Sequence, residues 1–444
     1  MGRLNTCLFN FMINKIRRYI NKESLSWALY DWANSAFATT VMAVFFPLFF
    51  NDYWSKGIDT VDTTARLGFA NSVVGVLILL SAPILGFISD NSSLKKRFLL
   101  IMTLLGALST ILLFFVGQGV WIIALVLYVV ATIGFSGGNI FYDALLTSVA
   151  PKKRYNFVSS LGFSLGYLGG GILLALNIFM SLNPEKFGIQ NSSDAVRYAF
   201  VSVGVWWLLF SIPLFSLVKE KKNKRDRVLD SFKQSFKSVF ATFKEIKDYK
   251  PILYFLIAYW LYIDGVDTIV RMAMDFGISL NLERDSLIKA FLLTQFIGFP
   301  AALLFGVFAK GKKGARNGVY LTLVIYLAVS IFGAMLDSET EFFLLAGVIG
   351  LVQGGIQALS RSYFAEIIPK ERSGEFFGFY NMIGKFAVVL GPLLIGATGL
   401  MLRKFGFDSE MATRGGIFSV SLFFIAGGIM FHHAVRVEKR DSQY

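Results

Sequence analysis

Long apolar blocks alternate with short charged segments along the whole chain. Twelve blocks are long enough to cross a membrane, because about 20 apolar residues span a hydrocarbon core roughly 30 Å thick. They lie near residues 25–50, 66–89, 98–117, 119–146, 157–181, 196–218, 251–279, 286–309, 317–336, 341–364, 375–402 and 413–435. The pattern predicts an all-α integral membrane protein with 12 transmembrane helices.

The longest hydrophilic segment lies at the centre of the chain and divides the blocks into six and six. We therefore predict two six-helix bundles with a linker between them and a cytoplasmic tail at each end. The predicted boundaries are residues 1–24 for the N-terminal tail, 25–218 for the first bundle, 219–250 for the linker, 251–435 for the second bundle and 436–444 for the C-terminal tail.

The linker has an amphipathic pattern. Apolar residues recur at three- and four-residue steps, and lysines occupy the other face; the apolar positions are Phe232, Phe236, Val239, Phe240, Phe243 and Ile246. A basic amphipathic helix that lies on the inner leaflet and contacts anionic lipids has this pattern. A solvated linker helix is the alternative. We favour the membrane surface because phenylalanines on one face would be costly to leave in water.

The net charge of +14 reflects membrane topology. Of the 43 Lys and Arg residues, 31 fall in the tails and loops on the side of both termini, and the opposite loops carry 9. This asymmetry follows the positive-inside rule, so both termini are predicted to be cytoplasmic. The basic excess therefore gives no reason to expect nucleic-acid binding. The compact chain suggests the cytoplasmic (inner) membrane of a bacterium.

The sequence offers little for catalysis or cofactor binding. Cys7 is the single cysteine, which excludes an intramolecular disulfide framework. The segment "GFYNMIGKF" is a poor match to a nucleotide-binding loop, since its spacing is one residue too long and it lacks the Ser or Thr. The two histidines, His432 and His433, cannot form a closed metal site alone. We expect no cofactor, no metal and no enzymatic activity.

The two halves repeat each other. "GFISDNSSLKKR" ends the second block and "GVFAKGKKGARN" ends the eighth. A Gly-Gly pair, an amide and a Pro-Lys follow in order in the fourth block and again in the tenth. The first block contains "WALYDWAN" and the seventh contains "YWLYIDGVDT". A repeated six-helix unit is typical of transporters that rock two bundles about a site at the membrane midplane.

These motifs resemble the major facilitator superfamily. Its inner-loop signature joins the second and third spans, and here it is matched by Gly86, Asp90, Lys95, Lys96 and Arg97, although the usual second glycine is absent near Ser93. The strings "WALYDWANSAFAT", "GLVQGGIQALSRS" and "GKFAVVLGP" resemble one branch, the autophagy-related vacuolar amino-acid effluxers and their bacterial permease relatives. The resemblance implies alternating access, solute export, and a central cavity lined by spans 1, 4, 7 and 10.

Charged residues within the spans are the candidate site. A charge at the centre of a spanning helix costs roughly 2.5–3.5 kcal/mol on insertion scales, so such residues usually face a cavity or a partner. Asp31 and Asn34 are three residues apart and share one helical face. The resemblance places that face toward the cavity. The alternative is that Asp31 anchors the helix at the inner interface beside Trp27 and Trp32.

Span 7 carries four charges at three- and four-residue steps: Asp264, Asp267, Arg271 and Asp275. They fall within a narrow arc of the helix, so they cannot all face lipid. One interpretation is a self-neutralised packing stripe, in which Arg271 pairs with its neighbours. The other is a polar wall whose carboxylate changes protonation with conformation, as a proton-coupled carrier requires. Asp264 is the first candidate for that carboxylate.

Further polar groups lie in spans 10 and 11. Gln353 and Gln357 share one face of span 10, and Asn381 and Lys385 are four residues apart in span 11. A lysine this deep either binds an anionic group or neutralises a carboxylate. A zwitterion needs both signs of charge, so Lys385 opposite Asp264 would suit an amino acid.

Asp143 and Arg361 are candidate gate residues. Each lies eight residues before the proline that ends its span, Pro151 and Pro369, so the two occupy equivalent positions with opposite charge. We expect them to approach each other when the inner gate closes and to separate when it opens. The alternative is two unrelated residues that extend toward the interface.

Together these features predict a monomeric secondary transporter of a small polar solute, an amino acid or similar zwitterion, by proton-coupled efflux. An exporter of amphipathic drugs or lipids on the same scaffold is the alternative, because the 7 Trp, 17 Tyr and 46 Phe residues could form an aromatic pocket.

Overall fold

Twelve long helices form the part of the protein that the computed structural model describes, residues 20–92, 94–220, 249–279 and 282–441. They are α1 Lys22–Trp54, α2 Thr60–Ser92, α3 Lys95–Leu112, α4 Trp121–Val149, α5 Tyr155–Leu182, α6 Ser192–Leu217, α7 Lys250–Ser279, α8 Arg284–Phe308, α9 Gly311–Gly333, α10 Glu339–Ile367, α11 Ser373–Lys404 and α12 Glu410–Asp441, the last interrupted at Val420. The predicted amphipathic helix of the linker and residues 1–19 of the N-terminal tail lie outside the described residues.

The helices have the dimensions of membrane spans. Among the described residues, 11 helices are long and apolar enough to cross a bilayer, and α11, at 32 residues, has sufficient length. Large apolar side chains are exposed on the outer helices, for example Phe69, Leu80 and Leu104. A soluble protein would bury such residues, so the exposed belt identifies the surface that faces lipid. The protein is a multi-pass membrane protein.

The packing of the helices is pseudo-symmetric. In the first bundle α1 packs against α5 and α6, and α3 packs against α4; in the second bundle α7 packs against α11 and α12, and α9 packs against α10. The bundles meet along α2–α11 and α5–α8, with further contacts of α4 with α11 and α5 with α10. If each helix is replaced by its counterpart in the other bundle, the α2–α11 contact becomes the α8–α5 contact, and the α4–α11 contact becomes the α10–α5 contact. The predicted pair of related six-helix bundles is confirmed.

Glycines allow the bundles to approach closely. A Cβ atom on Gly86 of α2 would lie 2.1 Å from the carbonyl oxygen of Gly374 of α11, and one on Gly378 would lie 2.5 Å from that of Ala82. At the equivalent α5–α8 contact, a Cβ on Gly306 would lie 2.5 Å from the Cβ of Ser160. Any side chain at these glycines would force the helices apart.

Helix α1 is less regular than its sequence predicts. It is α-helical over Lys22–Ala36 and then contains two π-helical segments, Phe37–Phe45 and Phe50–Trp54. The hydroxyl oxygen of Thr39 lies 3.0 Å from the carbonyl oxygen of Ser35 and 3.2 Å from that of Gly170 on α5. A hydroxyl inserted beside the backbone in this way widens the local turn.

Candidate functional site

The centre of the candidate site is Arg361, a buried arginine of α10 at the contact between the bundles. Its side chain is 3% exposed. Nη1 donates to Oδ1 of Asp143 on α4 at 3.0 Å, Nε donates to Oγ of Ser159 on α5 at 2.9 Å, and Nη2 donates to the Ser159 carbonyl at 2.9 Å. A residue of the second bundle is therefore held by an acid and a serine of the first.

A second carboxylate completes the arrangement. Nη2 of Arg361 lies 3.5 Å from Oδ2 of Asp31 on α1, and the Tyr142 hydroxyl donates to the same oxygen at 2.9 Å. Asn381 of α11 donates to Oδ2 of Asp143 at 2.9 Å. We call Asp31, Asp143 and Arg361 the charge triad. It draws on α1, α4 and α10, and α11 supports it.

Aromatic rings surround the guanidinium. The Arg361 Cζ atom lies 4.8 Å from the ring centroid of Trp27, 5.3 Å from that of Tyr142 and 4.2 Å from that of Phe163. The Trp27 ring stacks on Tyr142 at 4.3 Å, and its Nε1 donates to the Tyr142 carbonyl. These faces attract the cation and exclude water, which strengthens every electrostatic contact inside the cluster.

The triad is unbalanced in charge. Two carboxylates face one guanidinium, so the ionised cluster carries one net negative charge. Burial of an uncompensated charge is costly, so this imbalance makes the cluster electrostatically unusual for a membrane interior. Among the described residues, no group of three or more His, Cys, Asp and Glu side chains could hold a metal ion.

Gly162 of α5 makes room for the triad. A Cβ atom there would lie 2.7 Å from Oδ2 of Asp31, 2.8 Å from the Tyr142 hydroxyl and 3.1 Å from Nη2 of Arg361. No motif in the sequence indicates Gly162, Tyr142 or Ser159 as members of the site. The glycine-rich run of α5 was a signal for Gly162, but it indicates close packing in general and no particular partner.

Two polar pairs continue along the helices that supply the triad. One turn beyond Asp31 on α1, the Asn34 amide donates to Oδ1 of Asn139 on α4 at 2.9 Å. One turn before Arg361 on α10, Oε1 of Gln357 accepts from the Tyr167 hydroxyl of α5 at 3.2 Å. Both pairs have hydrogen-bonding groups to offer a polar solute.

Asp264 has different surroundings. Its side chain is fully buried at the contact of α7 with α11. Oδ1 accepts from the backbone N–H of Gly391 at 2.9 Å and from the Thr268 hydroxyl at 3.3 Å. Oδ2 is buried without a hydrogen-bond partner among the described residues. Asp264 is thus held within the second bundle by α7 and α11.

The other members of the predicted stripe on α7 differ in exposure. Arg271 is exposed and Asp267 is half-buried. Gln353 lines a mainly apolar cavity of about 100 Å³ inside the second bundle, and its Oε1 has no hydrogen-bond partner within the described part of the chain. The side chains of Asp275 and Lys385 lie outside the described residues.

The inner-loop signature joins the bundles at the basic end, which we define as the end that carries Lys95–Arg97 and both described chain ends. Asp90 accepts hydrogen bonds from the backbone N–H groups of Gly374 at 2.9 Å and Glu375 at 2.8 Å. It therefore caps the N-terminus of α11, where the helix dipole favours an anion. Lys95 lies 2.6 Å from Asp90 and donates to Ser373. Lys96 contacts Val218 at the end of α6, and Arg97 is exposed.

The pseudo-symmetric counterpart of this contact, between α5 and the α8–α9 junction, uses a side-chain amide in place of a carboxylate. Asn156, near the start of α5, donates to the carbonyl oxygens of Ala309 at 3.0 Å and Gly311 at 2.8 Å. The Ala309 carbonyl lies just after α8, and the Gly311 carbonyl belongs to the first residue of α9. The α2–α3 and α8–α9 junctions are therefore each held by the first turn of a helix in the opposite bundle, and the bundles are joined at this end.

Comparison with known proteins defines the family. A family model described as "Vacuole effluxer Atg22 like" matches residues 55–440. The chain belongs to this Atg22-like family. The family is a branch of the major facilitator superfamily, as the sequence motifs predicted, and the protein is a transporter of that type.

Relatives of the Atg22-like family share most of the chain. An uncharacterized MFS-type transporter of Bacillus subtilis, YxiO, is 38% identical over 417 residues, which cover 93% of this chain and 94% of the relative. The autophagy-related protein 22 of Eremothecium gossypii is 24% identical and covers 85% of each chain.

Solved structures share the fold at low sequence identity. The human organic anion transporter MFSD10 superposes with a TM-score of 0.74 at 13% identity, covering 92% of this chain and 99% of that one. The proton:xylose symporter XylE gives 0.71 at 12% identity, covering 94% and 96%. The transporter FucP in its outward conformation gives 0.64 at 14% identity, covering 93% and 99%. These similarities establish the major facilitator fold.

Proposed function

We propose that this protein is a secondary active transporter that exports a small zwitterion, an amino acid or a similar solute, by alternating access coupled to protons. The observation that carries the proposal is the charge triad, in which Arg361 of the second bundle is held by Asp143 and Asp31 of the first at 3.0 and 3.5 Å. Both signs of charge are thus buried at one point between the bundles.

A zwitterion suits this site for an electrostatic reason. Separating Arg361 from its carboxylates exposes a cation on one bundle and anions on the other. A solute that carries one carboxylate and one ammonium group can pair with Arg361 through its carboxylate and with Asp31 and Asp143 through its ammonium group, so each buried charge keeps a neighbour of opposite sign. A simple anion or cation would compensate one partner only, and the unpaired charge would be costly. The Asn34–Asn139 and Tyr167–Gln357 pairs offer uncharged hydrogen bonds to the rest of the solute.

The triad acts as an inner gate in this proposal. It lies about six residues, or 9 Å at 1.5 Å per residue, from the basic ends of α4 and α10. The Asp90 and Asn156 contacts join the bundles at the same end, and in this proposal that end is the closed inner side of an outward-facing transporter. Separation of Asp143 from Arg361 would accompany opening of that side, as the equivalent positions of the two residues suggest.

The proposal extends to membrane topology, lipid contacts, transport direction and oligomeric state. The distribution of Lys and Arg supports cytoplasmic termini and a position in the bacterial cytoplasmic membrane. The linker helix would rest on anionic lipids of the inner leaflet. Export is supported by the effluxer description of the family. A monomer suffices, because the triad is assembled within one chain.

Transport by the purified protein in proteoliposomes tests the proposal. A panel of radiolabelled amino acids is loaded inside, and efflux is followed with and without a proton gradient. We expect saturable efflux of at least one amino acid that accelerates with the gradient and falls at least tenfold in Arg361→Gln. Arg197→Gln, at a partly exposed ion pair far from the triad, is the matched control.

The rival function has a distinct outcome in the same assay. Export of an amphipathic dye without transport of any amino acid in the panel would overturn the zwitterion proposal. Flux that does not saturate would contradict a carrier mechanism altogether.

A further inference from the structure

We propose that Asp264 is the site that binds and releases the coupling proton, and that the proton controls the contact of α7 with α11 at Gly391. This inference rests on the proposed proton coupling and adds the site. Asp264 lies apart from the charge triad and has a different environment, so the two can be tested separately.

The first argument is the lack of charge compensation. Asp264 is fully buried, and its partners among the described residues are neutral: the backbone N–H groups of Gly391 and Leu390 and the Thr268 hydroxyl. Oδ2 has no partner among the described residues. An ionised carboxylate in this position keeps a buried charge that no described cation neutralises. Protonation removes the charge and leaves a neutral carboxylic acid.

Among the described residues, few charged groups lie around Asp264. On α7 itself, Asp267 and Arg271 lie one and two turns further along, and Arg271 is exposed. From α12, Phe424 packs against Gly265, and from α10, Ser360 contacts Tyr262. On α11, Lys385 is six residues before Gly391, and its side chain lies outside the described residues.

The second argument is the tight packing of α7 against α11. A Cβ atom on Gly391 would lie 1.6 Å from the Thr268 hydroxyl and 2.9 Å from Oδ1 of Asp264, so only glycine fits. The next residue, Pro392, has no N–H and interrupts the hydrogen bonding of α11. Asp264 therefore contacts α11 through the Gly391 N–H, directly before the proline that interrupts the hydrogen bonding of the helix. That hydrogen bond is stronger to a carboxylate than to a neutral acid.

A route for the proton is present beside Asp264. Thr268 contacts Oδ1 of Asp264 and also lines the cavity of about 100 Å³. The cavity is mainly apolar, but Thr268, Thr294, Ser330 and Gln353 on its wall offer polar groups to a water molecule, and Oε1 of Gln353 has no partner among the described residues. A hydrated proton in the cavity would bind the carboxylate and leave water behind, and release would reverse the step.

A single helix connects the proton site to the triad. Asn381 of α11 donates to Asp143, and Gly391 of the same helix donates to Asp264. The ten residues between them span about 15 Å of helix. Loosening of α11 at Gly391 on protonation would change the support that Asn381 gives to the triad. This supplies a physical link between proton binding and the gate.

Infrared difference spectroscopy of the purified full-length protein, acid minus alkaline buffer and without any solute, tests the proposal. We expect a carbonyl stretching band of a protonated carboxyl group in the native protein and its loss in Asp264→Asn. Asp285→Asn, at an exposed aspartate at the start of α8, is the matched control and keeps the band. Thr268→Val retains the carboxyl group but removes a hydrogen bond, so the band is expected to shift.

Each result decides the question. A band that persists in Asp264→Asn, or that disappears when sodium is added at constant pH, would overturn the proposal. If Asp264→Asn does not fold, an unshifted band in Thr268→Val would overturn it. The proposed function fails separately, when no amino acid is transported, because the spectroscopic signal requires no substrate.

Discussion

Arg361 and Asp143 form a buried salt bridge with an Nη1–Oδ1 distance of 3.0 Å, and each residue lies eight positions before the proline that ends its helix. Pseudo-symmetry places them at matching depths in opposite bundles, so the charge of one meets the charge of the other where the bundles touch. A buried pair of this kind is costly to break by removing one partner. The pair therefore stabilises the state in which the two bundles are in contact at this point.

Removal of the guanidinium is expected to destabilise this state strongly. In Arg361→Gln both Asp31 and Asp143 remain buried without a cation, and loss of one partner of a buried pair typically costs about 3–5 kcal/mol. Denaturant titration in detergent measures the free energy of unfolding. The control, Arg197→Gln, breaks a partly exposed pair and is expected to cost about 1 kcal/mol or less. Equal losses in the two variants would contradict the account.

Neutralisation of one acid is expected to cost less than loss of the arginine. In Asp143→Asn, Arg361 and Asp31 remain as one cation and one anion, so the net charge of the cluster falls to zero. The free energy of unfolding should therefore lie between those of the native protein and Arg361→Gln, in the same titration. An Asp143→Asn variant less stable than Arg361→Gln would show that the imbalance of charge in the triad is not what matters.

A methyl group at Gly162 is expected to disturb the triad. The Cβ of Gly162→Ala would lie within 2.8 Å of both Asp31 and Tyr142, and overpacking of a core typically costs about 1–3 kcal/mol. Efflux in proteoliposomes should fall together with stability. Gly428→Ala is the matched control, because no atom lies within 4 Å of its new Cβ and alanine favours the helix. Unimpaired efflux in Gly162→Ala would refute the tight packing around the triad.

Much of this arrangement could be predicted from the sequence. The apolar blocks predicted the helices, because a bilayer dictates their length, and the repeat predicted the two bundles. The equivalent positions of Asp143 and Arg361 predicted that they approach each other, and the structure places them 3.0 Å apart. Asp31 was recognisable because a carboxylate in an apolar run needs a partner. The identity of that partner depends on the rotation of α1 relative to α10, which no local pattern specifies.

The remaining features depend on contacts between distant helices. Equal spacing placed Asp264 and Asp267 on one arc of α7, but the close approach of α11 at Gly391 buries Asp264 fully, whereas Asp267 is half-buried. Ser159 binds Arg361 through both its hydroxyl and its carbonyl. A serine in a glycine-rich helix gives no sequence signal for such a role. The π-helical turns of α1 change the side-chain register after Ala36, so a regular period of 3.6 residues fails there.

Asp90 is expected to hold the basic end closed. Asp90→Asn removes the charge that caps α11 and pairs with Lys95, while keeping a similar shape. Charges at helix termini contribute up to about 2 kcal/mol when partly buried, so the inner side should open more often. The rate at which a maleimide labels Ser373→Cys in a Cys7→Ser background reports this opening. Asp194→Asn, which alters the first turn of α6 near the opposite end, should leave the labelling rate unchanged.

The most direct test of the account measures distances between the bundles at both ends. Spin labels on Lys153→Cys and Lys370→Cys report the basic end, and labels on Lys186→Cys and Glu339→Cys report the opposite end; all four positions are exposed. In lipid nanodiscs, double electron–electron resonance should give a short distance at the basic end in the native protein. Arg361→Gln should lengthen that distance and shorten the distance at the opposite end. Distance distributions that are identical in the two proteins would contradict a gate built on Arg361.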